Sequence, residues 1–73
     1  MKQFNDEVYG ILNAAEAHGM VGSSITANKI LDSAKKYYQS GSESDKKEIE
    51  EKLIALGKEP GIALPENYMQ FVK

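Results

Sequence analysis

The sequence holds few side chains of the kinds that catalyse reactions or bind metals. There is no cysteine, and His18 is the single histidine, the residue type that exchanges its proton closest to neutral pH. Because His18 precedes Gly19, we place it at the end of a helix, where an imidazolium would complement the helix dipole. A metal would need about three further ligands at suitable spacing, and the helical face of His18 offers none. The residues therefore predict no catalysis, no metal site and no cofactor.

The glycine-rich segment "GMVGSSITANK", residues 19–29, is the part of the sequence best suited to a small anionic ligand. A loop that leads into a helix offers free backbone N–H groups and the positive end of the dipole. The polar side chains that could add to such a site are Ser23, Ser24, Thr26 and Lys29. The phosphate-binding loop of nucleotide-binding proteins, however, follows a strand and has lysine and a hydroxyl residue directly after its last glycine. Neither condition is met, and the alternative is an interhelical loop with a serine cap.

Residues 35–51, "KKYYQSGSESDKKEIEE", place lysines beside tyrosines and continue into a dense run of charge. On a helix Tyr37 and Tyr38 share the apolar face whereas Lys36 points away, so no basic aromatic strip forms. Further along, oppositely charged residues stand four apart, the spacing of weak ion pairs on a solvated helix face. These pairs are Lys46 with Glu50, Lys47 with Glu51, and Glu48 with Lys52.

Apolar residues recur at helical spacing in three segments, which predicts amphipathic helices at about residues 3–18, 25–39 and 43–56. The three apolar faces consist of Phe4, Val8, Ile11, Leu12 and Ala15; of Ala27, Ile30, Leu31, Ala34, Tyr37 and Tyr38; and of Ile49, Leu53 and Leu56. A glycine follows each predicted helix, as is common at helix ends. The expected caps are Ser24 or Thr26 for the second helix and Ser42 or Ser44 for the third.

The last segment, "IALPENYMQFVK", predicts a short helix at about residues 65–72. Pro65 suits the first turn of a helix, where its missing N–H has no partner to lose. A helix of this length is unstable alone in water, so it must dock on the others. No segment alternates as a strand does. We therefore expect a single domain of residues 1–73, an all-α bundle of three amphipathic helices plus a short C-terminal helix.

Small size and composition also restrict the partners. A chain of 73 residues without cysteine buries a limited core and has no disulfide, so a second copy would add stability and we expect a homo-oligomer. All nine cations are lysine and the net charge is −2, so the arginine forks of specific nucleic-acid contacts are missing. Acidic residues precede any apolar run that could form a signal peptide, and no segment has the roughly 18 apolar residues of a membrane span. The expected location is cytoplasmic, without membrane or nucleic-acid binding.

Gly10, Ala14 and Ala17 form a face of small side chains on the first predicted helix, on the side away from Phe4 and Ile11. A glycine inside a helix costs up to about 1 kcal/mol relative to alanine, which raises the question of what approaches this face. We expect a close helix contact there, most readily with a second copy, the alternative being surface residues without a partner. The other candidate interface residues are Ile54, which lies off the apolar face of its helix, and Tyr68 and Phe71 of the last segment.

Two functions of different classes follow from these features. The first is a non-enzymatic protein-binding module, an adaptor or inhibitor of a larger protein that also self-associates. It is favoured because such surfaces need a partner, whereas catalysis needs groups that the sequence lacks. The alternative is a binder of a small anionic or nucleotide-like ligand at the N-terminus of the second helix. Nucleic-acid binding is a third and disfavoured class.

Overall fold

The predicted apolar faces lie on helices that pack together in a computed structural model, which describes all 73 residues. Its elements are α1 (Lys2–Ala17), α2 (Ser24–Ser40), α3 (Glu43–Gly57) and α4 (Tyr68–Val72). There is no strand. The predicted all-α fold, with three amphipathic helices and a short C-terminal helix, is confirmed. None of the four helices has the length and apolar character that crossing a bilayer demands.

Helix α2 occupies the centre of the bundle and contacts each of the other three helices. Helices α1 and α2 run antiparallel, since Phe4 near the start of α1 packs against Tyr37 near the end of α2, with ring centroids 6.4 Å apart. The buried cluster draws on all four helices and consists of Phe4, Val8, Ile30, Leu31, Ala34, Ile49, Leu53, Leu56 and Val72. Apart from Val72, every member belongs to one of the three predicted faces, so helical periodicity identified most of the core.

The loop between α1 and α2 is fixed by its own hydrogen bonds. Gly19 adopts a φ of 67°, in the left-handed region that glycine enters without steric cost, and this ends α1 after His18. The chain then folds back, so that the Met20 N–H donates to the Ala15 carbonyl at 2.7 Å. The Thr26 hydroxyl in turn donates to the Met20 carbonyl at 2.6 Å, which ties the loop to the first turn of α2.

The N-cap of α2 is Ser23, and the prediction of Ser24 or Thr26 is wrong. The Ser23 hydroxyl oxygen accepts a hydrogen bond from the Thr26 backbone N–H at 3.1 Å. Thr26 lies inside the first turn, and its hydroxyl donates to the Met20 carbonyl of the loop instead of capping the helix. Helix α2 therefore begins one residue earlier than expected.

A tight corner joins α2 to α3 at Gly41 and Ser42. As predicted for one of two serines, Ser42 caps α3, and its hydroxyl accepts from the Asp45 N–H while the Asp45 carboxylate accepts from the Ser42 N–H. Gly41 has an ordinary extended backbone, but a Cβ there would lie 2.8 Å from the Tyr37 carbonyl oxygen. Close approach, not a left-handed φ, requires glycine at this corner.

Helix α4 begins at Tyr68, three residues later than predicted. The Tyr68 N–H donates to the Pro65 carbonyl at 3.2 Å, so Pro65 opens a turn and not a helix. Leu64 is half-buried and packs on the core, and Val72 is fully buried. Docking on the bundle stabilises this helix, as expected for so short a segment.

Candidate functional site

A groove runs along the surface between α1 and α2, and we call it the α1–α2 groove. Its volume is about 390 Å³. The lining residues are Glu7, Gly10, Ile11, Ala14, Ala15 and His18 of α1 and its cap, and Met20, Ile25, Thr26 and Lys29 of the loop and α2. Because a cavity of about 150 Å³ admits a benzene ring, the groove has room for more than one large side chain.

The groove exists because small residues form its α1 wall. A Cβ placed on Gly10 would meet no atom within 4 Å, and Ala14 is exposed one turn further along. Both residues were predicted to contact a second helix, and within the chain no helix covers them. Ala17, the third member of that predicted face, is exposed and lies outside the groove. The structure thus joins two of the three small residues to Thr26 and Lys29, which the sequence had assigned to a different site.

The remaining apolar part of the groove is its rim at the α2 end. Met20 and Ile25 are exposed, Ile25 at 54%, although both are large and apolar. Ile11 and Ala15 lie deeper and belong to the core-facing side of α1. An exposed apolar rim next to an apolar floor is typical of a surface that another molecule covers.

Glu7 closes one end of the groove and has three donors within the chain. Its carboxylate accepts from the Tyr37 hydroxyl, from the Lys36 ammonium at 3.0 Å and from the Ser33 hydroxyl at 3.0 Å. The Tyr37 hydrogen bond first, and then that of Lys36, lowers the pKa of Glu7 below its ordinary value. The same contact with Glu7 raises the pKa of Tyr37. No sequence pattern predicts this cluster, because its partners lie about thirty residues apart and meet only when α1 packs on α2.

The hydroxyls at the other end of the groove are also engaged. Ser23 caps α2 and donates to the Thr26 hydroxyl at 3.1 Å, and Thr26, which is 3% exposed, donates to the Met20 carbonyl. Of the four predicted anion-binding residues, only Ser24 and Lys29 keep free polar groups. Ser24 is exposed and does not line the groove, whereas Lys29 does.

Lys29 is the ammonium group on the wall of the groove, and it takes part in none of the ion pairs of the structure. His18 is the C-cap of α1 and is exposed at the end of the groove. No group of three or more histidine, aspartate or glutamate side chains lies close enough to hold a metal ion. With Glu7 satisfied by internal donors, the free charge in the groove is positive.

The other predicted interface residues form two further surfaces, not one. Ile54, 49% exposed, lies beside Tyr68 and Met69 in a hollow of about 240 Å³ that we call the α3–α4 surface. Phe71, 54% exposed, lies in a different hollow, of about 140 Å³, against Lys35 and other residues of α2. The predicted interface is therefore distributed over three separate faces of the molecule.

The chain was compared with known proteins at the level of family, sequence and fold. It matches none of the protein-family models, none of the curated proteins and none of the solved structures.

Proposed function

We propose that this protein is a non-enzymatic protein-binding module, an adaptor or inhibitor of a larger protein, and that the partner docks in the α1–α2 groove. The observation that supports the proposal is the open α1 wall formed by Gly10 and Ala14. Glycine inside a helix costs about 1 kcal/mol relative to alanine, yet nothing within 4 Å of a Cβ at Gly10 excludes alanine. A partner that approaches the α1 backbone closely would account for that cost.

The rim of the groove supports the same function. Met20 and Ile25 leave apolar surface in water beside the open wall, and covering that surface stabilises a complex by about 25 cal/mol per Å² before the costs of association. The groove contains no nucleophile activated by a neighbouring base, and its buried hydroxyl, Thr26, is hydrogen-bonded to the loop. These features suit recognition of a surface more than chemistry on a substrate.

Quantitative affinity capture from lysate of the native host tests the proposal. The bait would be wild type, Gly10→Leu, which fills the groove, or Asn13→Leu, which adds the same side chain to an exposed position of α1 outside the groove. We expect a partner that wild type and Asn13→Leu both retain and that Gly10→Leu loses. Circular dichroism should show all three variants equally helical. Equal capture by Gly10→Leu and wild type would overturn the proposal.

A small anionic or nucleotide-like ligand at the N-terminus of α2 is the second candidate function. The free ammonium of Lys29 and the exposed hydroxyl of Ser24 support it, while the engagement of Ser23 and Thr26 within the chain counts against it. Melting temperature measured with inorganic phosphate and with ATP separates the two candidates, because a bound ligand raises it. A rise that the Ser24→Ala, Lys29→Ala double variant abolishes would favour the ligand.

Two further expectations belong to the proposed function. Self-association would use the α3–α4 surface, since Ile54 leaves a second apolar area exposed on a different face from the groove. The cytoplasmic location expected from the sequence is checked by fractionation of the host cell.

A further inference from the structure

We infer that the segment that docks in the α1–α2 groove is an amphipathic helix of another protein, with a carboxylate about one turn from its apolar anchor and facing Lys29. This inference rests on the proposed function and adds the chemistry of the partner. It draws on three features of the groove, namely its walls, its charge and its length.

The walls of the groove decide between a helical and an extended partner. Both walls are helices, whose backbone N–H and C=O groups are already paired along the helix. An extended segment would find no row of free backbone groups and would leave its own unpaired in an apolar groove, which is costly. A helix satisfies its backbone internally and presents only side chains.

The length of the groove fits several turns of such a helix. Glu7 and His18 mark its two ends, eleven residues apart on α1, which is about 16 Å at 1.5 Å per residue. The floor between them is apolar or bare backbone. Apolar side chains spaced three and four apart on the partner would occupy it, the smallest of them opposite Gly10.

The charge of the groove selects an acidic partner. Glu7 is already neutralised by Lys36 and by two hydroxyl donors. Lys29 is unpaired, and this is true of other surface lysines too, but Lys29 alone among them lines the groove. A partner that covered Lys29 without a carboxylate would desolvate an ammonium and leave it uncompensated, so a neutral or basic helix is disfavoured.

A second copy of this chain fits the groove less well. Its exposed large apolar side chains are Tyr9, Met20, Ile25, Ile54 and Phe71, and no two of them share a helix. No helix of the chain therefore presents the row of apolar side chains that would fill the groove, and a single one covers little of about 390 Å³. The inference therefore commits to a different protein.

Selection from a displayed peptide library tests the inference. The library holds peptides of about 16 residues, four to five turns of helix, with apolar residues three and four apart and the other positions varied. It is selected on wild type. We expect enrichment of Glu and Asp at one position about a turn from an apolar residue, and loss of binding to Gly10→Leu but not to Asn13→Leu.

The charge pair is then tested on one selected peptide. Replacing its acid by the amide should weaken binding about tenfold, as should Lys29→Glu, whereas Lys35→Glu on the other flank of α2 should change it less than about twofold. A peptide with lysine in place of the acid should bind Lys29→Glu better than wild type. Such a rescue requires that the two charges lie close to each other, within about the 8–10 Å over which salt leaves charges unscreened.

The outcomes separate the inference from the function on which it rests. Groove-dependent peptides that lack acids, or that ignore Lys29→Glu, would overturn the acidic helix while leaving the groove as a docking site. A library that yields no groove-dependent peptide would overturn the helical partner. A wild-type dimer that Gly10→Leu dissociates would assign the groove to a second copy and also overturn the inference. Host capture unaffected by Gly10→Leu would instead remove the proposed function itself.

Discussion

The carboxylate of Glu7 links α1 to α2 through donors that all belong to α2. Ser33, Lys36 and Tyr37 stand within two turns of that helix, so one acceptor on α1 fixes the register between the two helices. The Lys36 ammonium also lies 4.7 Å from the centre of the Tyr37 ring, which holds both side chains beside the acid. The groove depends on this register, because Glu7 forms one of its ends.

The first prediction concerns the pH dependence of this contact. The Tyr37 and Lys36 hydrogen bonds lower the pKa of Glu7 in the folded state, so the ionised form stabilises the fold. That contribution is present above the ordinary value of 4.5 and is lost as pH falls through the lowered folded value. We expect Glu7→Gln to lower the free energy of unfolding at pH 7, and the difference from wild type to shrink below pH 4.5.

Urea unfolding at a series of pH values measures this difference. Glu16→Gln, an exposed position on another side of α1, is the matched control and should track wild type throughout. A Glu7→Gln deficit that stays the same down to low pH would show that lost packing, and not the ionised carboxylate, causes it.

The second prediction is that Gly10→Ala stabilises the protein. A Cβ at this position meets nothing within 4 Å, and alanine is favoured over glycine inside a helix by about 0.5 to 1 kcal/mol. The midpoint of urea unfolding should rise with little change in slope. A loss of stability would mean that the α1 wall of the groove is covered in solution, for example by a second copy.

At the scale of the elements, the third prediction concerns Gly41, at the corner between α2 and α3. Its replacement by alanine should have the opposite effect from that of Gly10. A Cβ on Gly41 would lie 2.8 Å from the Tyr37 carbonyl oxygen and 2.9 Å from the Asp45 Cβ, so backbone would have to shift. We expect Gly41→Ala to lower the free energy of unfolding by about 1 to 3 kcal/mol, the usual range for overpacking. Thermal and urea unfolding of the two glycine variants in parallel checks the opposite signs, and a neutral Gly41→Ala would contradict the tight corner.

The sequence predicted the helices well because each one buries a face that repeats at helical spacing. Phe4, Val8 and Leu31 could be assigned to the core from their positions alone, since any packing of amphipathic helices buries that face. The Ser42 cap was also predictable, because it depends on residues three apart. Local patterns are therefore reliable where the interaction that decides them is local.

Features decided by contact between elements were missed. The expected pairing of Lys46 with Glu50 does not form; Lys46 lies 3.8 Å from Glu43, while Glu50 meets the Tyr38 hydroxyl and lies 3.6 Å from the Lys73 ammonium. The N-cap of α2 and the first residue of α4 differ from the prediction for the same reason, because hydrogen bonds within the loop and within the docked tail decide them. The α1–α2 groove depends on how far apart two helices pack, which no periodicity reports.

At the scale of the whole molecule, the central position of α2 separates the exposed faces from one another. Thr26 and Lys29 of α2 face the groove, whereas Leu31 and Lys35 face Phe71 on the other flank. The α3–α4 surface lies apart from both, beside Ile54. One small bundle can thus hold a partner on one face and contact a second copy on another without competition between them.

The last prediction is that the protein self-associates through the α3–α4 surface. A chain of this size gains stability by burying further apolar area, and Ile54 leaves about half of its surface exposed at 49%, beside the half-buried Tyr68 and Met69. Light scattering across a dilution series should show wild-type mass above that of the monomer at high concentration. Ile54→Lys should return it to the monomer, because the contact would then bury a charge.

The controls distinguish this surface from the groove. As a substitution of an exposed residue, Ile54→Lys should change the free energy of unfolding of the monomer by less than about 0.5 kcal/mol, so any loss of mass reports association. Asn13→Leu and Gly10→Leu should leave the mass as in wild type, since neither position lies near Ile54. If wild type were a monomer at every concentration, the prediction of self-association would be wrong. If Gly10→Leu lowered the mass and Ile54→Lys did not, the contact between copies would lie in the α1–α2 groove, where a second copy would compete with the partner helix.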